Sequence, residues 1–328
     1  MFRYFFLSIV SFLFFSCEDG EILVESFDFT NSTTQTCNQN TSNFFIYRLS
    51  TNEALIIRMP ESTFNYAVTP LEASNELDPI SVEGSAIDVV YRLYNGAVST
   101  STLCSTLPAI SPIVTEEWTA TSGNIRVVTN VTKTSNAGIN SPNATRINGY
   151  NHEIELRGIT FVEPDGTEVF YDVLTFGSYQ TATANTLSNF TGLLAKCNNT
   201  TNVKLYKTST NQAIVLEVPT SLFPNEITAA NTPRVAYFDS QNTFKYLIFE
   251  EVLANNTAFC AGTFDLAETW LAQDGNATTQ SGRIEVTTIQ SSEGFEHTIV
   301  LKKAVMMRGD VEFTFGDAYT LGTFILTP

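Results

Sequence analysis

Apolar and polar residues alternate with a period of two along most of the chain, which is the spacing of strands that face a core on one side and solvent on the other. Phe44 to Leu49 and Ala54 to Met59 flank the turn-forming residues Ser50 to Glu53. This arrangement predicts a β-hairpin, and Val203 to Val218 repeats it later in the chain.

A second hairpin is predicted where Glu163 to Gly166 separates Ile159 to Val162 from Val169 to Phe176. Proline presets φ for such a turn, and glycine accepts the left-handed conformation that it requires. The only predicted departure from strands is a short helix around Leu266 to Ala272. The expected fold class is therefore all-β, with antiparallel β-sandwich-like or barrel-like domains.

The chain contains two copies of one pattern. Residues 37–64 (CNQNTSNFFIYRLSTNEALIIRMPESTF) match residues 197–223 (CNNTTNVKLYKTSTNQAIVLEVPTSLF). Both tryptophans and both histidines of the chain fall in register, Trp118 with Trp270 and His152 with His297. The period is far longer than that of a solenoid repeat, so we interpret the pattern as a duplicated domain.

The cysteines repeat as well. Cys37 and Cys104 lie 67 residues apart, and Cys197 and Cys260 lie 63 apart, which predicts one disulfide within each copy. Closing loops of this length stabilises a domain by roughly 4 kcal/mol in the chain-entropy account. Cys17 is left over, and an odd cysteine in an exported protein needs a separate role.

The resulting prediction of domain organisation has five segments. They are a signal peptide at 1–16, a lipidated cysteine and tether at 17–29, copy one at 30–182, a linker at 183–188 and copy two at 189–328.

The first 16 residues have the pattern of a signal peptide. Arg3 precedes an apolar run from Tyr4 to Phe15, and the small residue Ser16 ends the segment. The apolar run is shorter than the roughly 20 residues that a membrane-spanning helix needs. The leader therefore predicts export rather than a permanent span.

The segment Phe14-Phe15-Ser16-Cys17 resembles a lipobox, although Phe14 stands where leucine is usual. The resemblance implies cleavage before Cys17 and attachment of a diacylglyceryl group to that cysteine. Glu18 and Asp19 follow directly and look like the surface-export signal of lipoproteins from the Bacteroidota. We therefore expect a protein held on the outer membrane by an N-terminal lipid and exposed to the periplasm or to the cell surface.

The chain carries a formal net charge of −17. Such a field repels phosphate backbones, so nucleic acid is not an expected partner. Cations would be attracted, but the acidic surface is interpreted as a solubility device. No cofactor and no metal site are predicted, because each histidine stands alone in its copy without a neighbouring cysteine or histidine.

His152, His297, Trp118 and Trp270 are the candidate ligand-binding residues. Alternation places each histidine on the apolar face of its strand, which favours a buried structural role. Each tryptophan is interpreted as a core residue, with a sugar-stacking platform as the alternative.

Motifs for nucleophilic catalysis are absent from the sequence, and no catalytic residue is predicted. Carboxylates that a glycoside hydrolase could use are Glu116, Glu117, Glu250, Glu251 and Glu268, although solvated edge charges are the favoured interpretation. Arg308-Gly309-Asp310 is interpreted as a turn rather than as an integrin-type ligand.

The leading hypothesis is a non-enzymatic, lipid-anchored envelope protein that binds or adheres to a glycan or protein ligand. The first alternative is a glycan-handling protein, either a carbohydrate-binding module or a carboxylate-based hydrolase. The second is a structural spacer of the periplasm.

Overall fold

A computed structural model describes residues 27–37, 44–64, 68–69, 80–83, 87–105, 107, 109–183, 187–197, 202–253, 258–261 and 264–326. The protein is nearly all β, with 57% strand and 6% helix, which confirms the predicted fold class. The predicted leader and Cys17 lie outside the described residues.

Within the described residues, the first copy contains eight strands and one short helix. They are β1 (Gln35–Thr36), β2 (Phe45–Ser50), β3 (Glu53–Arg58), β4 (Ile80–Ser81), β5 (Asp88–Tyr94), α1 (Thr100–Cys104), β6 (Val114–Ser135), β7 (Thr145–Val162) and β8 (Glu168–Ala182).

In the described part of the second copy there are eleven strands and one short helix. They are β9 (Ala195–Lys196), β10 (Val203–Ser209), β11 (Gln212–Val218), β12 (Arg234–Tyr237), β13 (Thr243–Phe249), α2 (Ala258–Ala261), β14 (Leu266–Ala272), β15 (Arg283–Ser291), β16 (Gly294–Lys302), β17 (Val305–Arg308), β18 (Val311–Thr314) and β19 (Tyr319–Leu326).

The strands of the first copy form one antiparallel sheet in the order β1-β2-β3-β5-β6-β7-β8, with β4 paired to β6. The second copy forms two sheets, a seven-stranded one in the order β18-β17-β14-β13-β11-β10-β9 and a four-stranded one in the order β12-β15-β16-β19. The arrangement is that of sandwiches or half-barrels.

The two copies match element by element. The hairpin β2–β3 corresponds to β10–β11, β5 to β13 and α1 to α2. β6 is continuous over 22 residues, whereas its counterpart is divided into β14 and β15. Eleven positions separate Trp270 from Ser281, whereas four separate Trp118 from Ser122, and the additional residues of the second copy lie where its strand is divided.

Gly123 occupies the place in β6 at which the second copy breaks its strand. Its φ is +121°, and a Cβ built there would lie 2.7 Å from the Cα of Ile159. The equivalent Gly282 lies between β14 and β15 with φ +58°. Only glycine fits these conformations without strain, so both copies turn the chain at the same point of the repeat.

The sandwich core of the second copy contains side chains from both of its sheets. Leu216 and Trp270 come from the seven-stranded sheet, and Ile284 and Ile299 come from the four-stranded sheet. Alternation along β15 and β16 is the reason, because successive side chains of a strand point to opposite faces.

The disulfides lie in smaller clusters, one in each copy. Cys37 is joined to Cys104, and the cluster also contains Tyr47. Cys197 is joined to Cys260, in a cluster with Tyr206. Both predicted pairings are confirmed.

Arg48 is a buried cation in β2, 9% exposed, and burial lowers the pKa of its guanidinium. Its Nη1 donates to the carbonyl of Phe176 at 2.7 Å, and its Nε donates to Ser32 Oγ at 3.0 Å. Nη2 donates to the carbonyls of Phe29 and Ser32. These bonds fasten the segment before β1 to two strands of the sheet, and they satisfy a charge that would otherwise be costly to bury.

The predicted helix around Leu266 to Ala272 is wrong, because this segment is strand β14 and pairs with β13 and β17. Tertiary pairing decides its structure rather than local periodicity. The hairpin around Glu163 to Gly166 is confirmed, with φ +90° at Gly166. Gly309 and Asp310 form the tight turn between β17 and β18, as predicted for Arg308-Gly309-Asp310.

The described residues fall into two compact units. Unit 1 contains those within Met1–Thr63, Asp78–Val127 and Ile154–Tyr179, and unit 2 contains those within Phe64–Leu77, Val128–Glu153 and Gln180–Pro328. The predicted boundaries of the two copies stay a prediction.

Candidate binding surface

His152 lies at the centre of a buried polar cluster and is 0% exposed. Its Nδ1 is 2.8 Å from the hydroxyl of Thr129, and its Nε2 is 2.9 Å from the hydroxyl of Thr181. Phe64 packs against the ring. Both ring nitrogens are therefore occupied within the core, and burial lowers the pKa of His152.

His297 repeats this arrangement and is also 0% exposed. Thr288 Oγ1 lies 2.8 Å from its Nδ1 and accepts a bond from Arg234 Nη1 at 2.7 Å. The hydroxyl oxygen of Thr288 therefore bonds both the guanidinium of Arg234 and the imidazole ring. Burial, and then the charge of Arg234, lower the pKa of His297. Nε2 has no partner among the described residues.

Trp270 is 5% exposed. Its Nε1 donates to Glu268 at 2.9 Å, and Arg308 lies over the ring at 5.8 Å while also bonding Glu268 at 2.9 Å. The void beside the ring measures about 20 Å³, which is room for about one water and not for a sugar.

Trp118 is 3% exposed and packs against Tyr91 and Phe27, with ring centroids 4.9 Å and 5.6 Å away. Its Nε1 is buried without an acceptor among the described residues. Neither tryptophan presents the open ring face that sugar stacking requires. The four residues singled out in the sequence are core residues, and no site brings their side chains to solvent.

The candidate carboxylates are dispersed or paired. Glu117 bonds Arg92 at 2.6 Å, and Glu268 is held by Trp270 and Arg308. Glu116, Glu250 and Glu251 are exposed. Across the described residues, no group of three or more histidine, cysteine or carboxylate side chains could hold a metal ion.

A surface that the sequence analysis did not single out lies in unit 1, where β5 leads through α1 into β6. A cavity of about 470 Å³ opens there, with Arg92, Tyr94 and Glu117 among its lining residues. Tyr94 is 4% exposed, and burial raises the pKa of its phenol. The lining combines this ion pair and phenol with the hydroxyl residues Thr102 and Ser105 and with apolar residues.

Four exposed apolar side chains border this cavity, and we call them the apolar rim: Leu107, Ile110, Ile113 and Val114. Leu107 is 75% exposed, Ile110 is 96%, Ile113 is 51% and Val114 is 41%. All except Ile110 line the cavity. Ile110 is not a lining residue, and its side chain is almost wholly exposed to solvent.

The end of the rim next to β6 is held by hydrogen bonds. Asn95 N donates to the carbonyl of Ile113 at 3.1 Å, and Ile113 N donates to Asn95 Oδ1 at 3.0 Å. Thr115 Oγ1 donates to the carbonyl of Leu93 at 3.2 Å. These bonds fix the backbone around Ile113 and Val114.

The positions of charged residues along the sequence are a signal that could have identified this surface. No Asp, Glu, Lys or Arg occurs between Arg92 and Glu116. The equivalent stretch of the second copy contains Glu250, Glu251 and Asp265. The connection from β5 to β6 in the first copy is therefore longer than the equivalent connection from β13 to β14. Only the connection of the first copy lacks charged residues.

In the part of the chain that the structure describes, no helix is long and apolar enough to cross a membrane. The chain matches no family model, no curated protein and no solved structure. Function must therefore be argued from the molecule itself.

Proposed function

We propose that the chain is an exported envelope protein, anchored by a lipid on Cys17, whose role is binding or adhesion rather than catalysis. The leader supports export, and so do the two disulfides, since such bonds form and persist in oxidising compartments. The acidic residues after Cys17 support a position on the cell surface.

The observation that carries the binding role is the apolar rim beside the cavity of unit 1. Isolated exposed apolar residues are normal, but several together on a supported loop mark an interaction site. The paired charges of Arg92 and Glu117 add a polar group on which a ligand could be oriented. The ligand class proposed is a glycan or protein with an apolar portion.

The anchor is tested by intact-mass analysis of protein extracted from membranes, together with protease treatment of whole cells. We expect a chain that begins at Cys17 with added acyl mass and is cleaved from outside. The variant Cys17→Ser should release the protein into the soluble fraction. An unmodified soluble wild-type protein would contradict the anchor, and protection from protease would contradict surface exposure.

The binding role is tested in a strain that lacks the protein. Loss of adhesion or ligand uptake is expected on deletion, with recovery by the wild-type chain and not by Leu107→Asp. Val252→Asp is the matched control, because Val252 is 68% exposed in the second copy. Normal adhesion and uptake in the deletion strain would contradict the proposal.

A further inference from the structure

We infer that a polar cavity of unit 1, separate from the apolar rim, is a binding site for a neutral saccharide of about one or two rings. The cavity has a volume of about 440 Å³ and is lined by residues from two stretches, 28–32 and 49–51, together with Val98. Among the described residues, it shares no lining residue with the cavity beside the rim. The site is therefore independent of the binding role proposed for the rim.

The lining contains polar groups that the fold does not use. The side chains of Asn31, Ser50 and Thr51 make no hydrogen bond with other described residues. Hydroxyl and amide groups can both donate and accept, as the hydroxyl groups of a sugar do. Leu49 and Val98 add half-buried apolar surface to the same lining. A sugar ring fits this combination, because it offers hydroxyl groups to the polar residues and C–H groups to the apolar ones.

The charge of the lining favours a neutral ligand over an anion. Asp28 is the only charged residue among those described in the lining. Its Oδ1 accepts from the hydroxyl of Thr30 at 2.7 Å and from the backbone N–H of Thr30 at 3.0 Å. These two bonds hold the pKa of the Asp28 carboxyl below its usual range. The ionised carboxylate keeps Oδ2 to accept from a sugar hydroxyl, and it repels carboxylates and phosphates.

Hydrogen bonds fix the walls of the cavity before a ligand binds. Ser32 Oγ accepts from the buried Arg48 Nε at 3.0 Å. On the other side, Val98 N donates to the carbonyl of Thr51 at 3.0 Å. Binding to groups that are already held in place loses less conformational entropy than binding to mobile ones.

The second copy makes the same local contact without these polar groups. Residues 28–32 (DFTNS) match residues 189–193 (NFTGL). The phenylalanine carbonyl of each stretch accepts from the buried cation of its copy. Asn189 stands in place of Asp28, and glycine stands in place of Asn31. Folding of this segment therefore does not require the carboxylate or the amide, and their position around a cavity indicates binding.

Saturation-transfer difference NMR of the purified, disulfide-bonded protein tests the site with four neutral sugars: glucose, galactose, mannose and N-acetylglucosamine. We expect saturation to reach at least one of them and not glucuronate, whose carboxylate is repelled by Asp28. Absence of saturation from all four neutral sugars would overturn the inference, and so would equal saturation of glucuronate.

Two variants locate the bound sugar. Asp28→Asn keeps an acceptor for Thr30 but loses the charge, and it should weaken binding by about tenfold or more. Ser50→Ala should weaken binding by about threefold or more. Ser209→Ala is the matched control, because Ser209 is the equivalent residue of the second copy. Both this control and Leu107→Asp in the rim should leave binding unchanged.

Ser50→Ala also separates binding from folding, because the Ser50 hydroxyl bonds no other described residue. Urea denaturation of each variant identifies those that fold as the wild type does. Unchanged binding in folded Asp28→Asn and Ser50→Ala would contradict the inference. Loss of binding with Leu107→Asp would place the sugar at the rim instead, and would contradict it as well.

Discussion

The hydroxyl oxygen of Thr288 lies 2.8 Å from Nδ1 of His297. Thr129 and His152 repeat this pair at 2.8 Å in the first copy. Because the ring of His297 is buried, loss of its hydroxyl partner leaves a nitrogen unsatisfied in the core.

We therefore expect Thr288→Val to lower the free energy of unfolding by about 1–3 kcal/mol, as measured by urea denaturation. Thr287→Val is the control, since Thr287 is exposed on the opposite face of β15, and it should change stability by less than about 0.5 kcal/mol. Equal effects of the two substitutions would show that the hydroxyl bond contributes nothing.

Stability should also fall as the pH drops through the range in which free histidine titrates. Burial lowers the pKa values of His152 and His297 below the ordinary value of 6.5. Between the folded and unfolded values the unfolded chain binds more protons, so the stabilisation is full above 6.5 and declines below it.

This pH dependence is measured by urea denaturation at about pH 7.5 and about pH 5.5, a window in which most carboxylates stay ionised. The side-chain hydrogen bond from Arg157 holds the pKa of Glu155 below its usual range, which keeps it out of this window. His297→Gln should reduce the dependence and leave the part contributed by His152. A variant that loses as much stability as the wild type between the two pH values would contradict the assignment to His297.

The two tryptophans should respond differently to the same change. Trp270→Phe removes a donor that bonds Glu268, whereas Trp118→Phe removes a buried donor for which the described residues offer no acceptor. The loss of ring volume is the same in both. We expect Trp270→Phe to be the more destabilising by about 1–3 kcal/mol in thermal or urea denaturation, and a reversed order would argue against the hydrogen-bond account.

Alanine substitutions at Gly123 and Gly166 distinguish the stability cost of a positive φ from the cost of a steric clash with the added Cβ. Both have positive φ, but an added Cβ at Gly166 meets nothing within 4 Å, while at Gly123 it lies 2.7 Å from Ile159 Cα. Gly166→Ala should cost about 1 kcal/mol, and Gly123→Ala about 3 kcal/mol or more, because backbone must also move. Urea denaturation of both variants tests this, and equal costs would mean that β6 and β7 shift without penalty.

The fold class, the duplication and both disulfides follow from local sequence signals. Period-two alternation specifies strands, and the matched spacing of Cys37, Cys104, Cys197 and Cys260 specifies the pairing. Strand β14 was wrongly predicted as a short helix, because Leu266 to Ala272 is rich in the helix formers Leu, Ala and Glu. The pairing with β13 and β17 that makes it a strand is not a local signal.

The candidate surface was missed for a different reason. A search for motifs selects chemically distinctive side chains such as those of His152 and Trp118, and both of these side chains are buried in the core. Exposure of Ile110 cannot be inferred from its own identity, because isoleucine is usually buried. The signal in the sequence for this surface is that the connection from β5 to β6 is uncharged and is longer than its counterpart in the second copy.

The bonds of Arg48 also affect when unit 1 can finish folding during synthesis. Phe176, whose carbonyl accepts from Arg48, lies 128 residues further along the chain. The segment that contains Phe176 must therefore be synthesised before the Arg48 guanidinium can be buried with this hydrogen bond made. Contacts so far apart in sequence form slowly. More than half of the chain is therefore made before this part of the molecule closes.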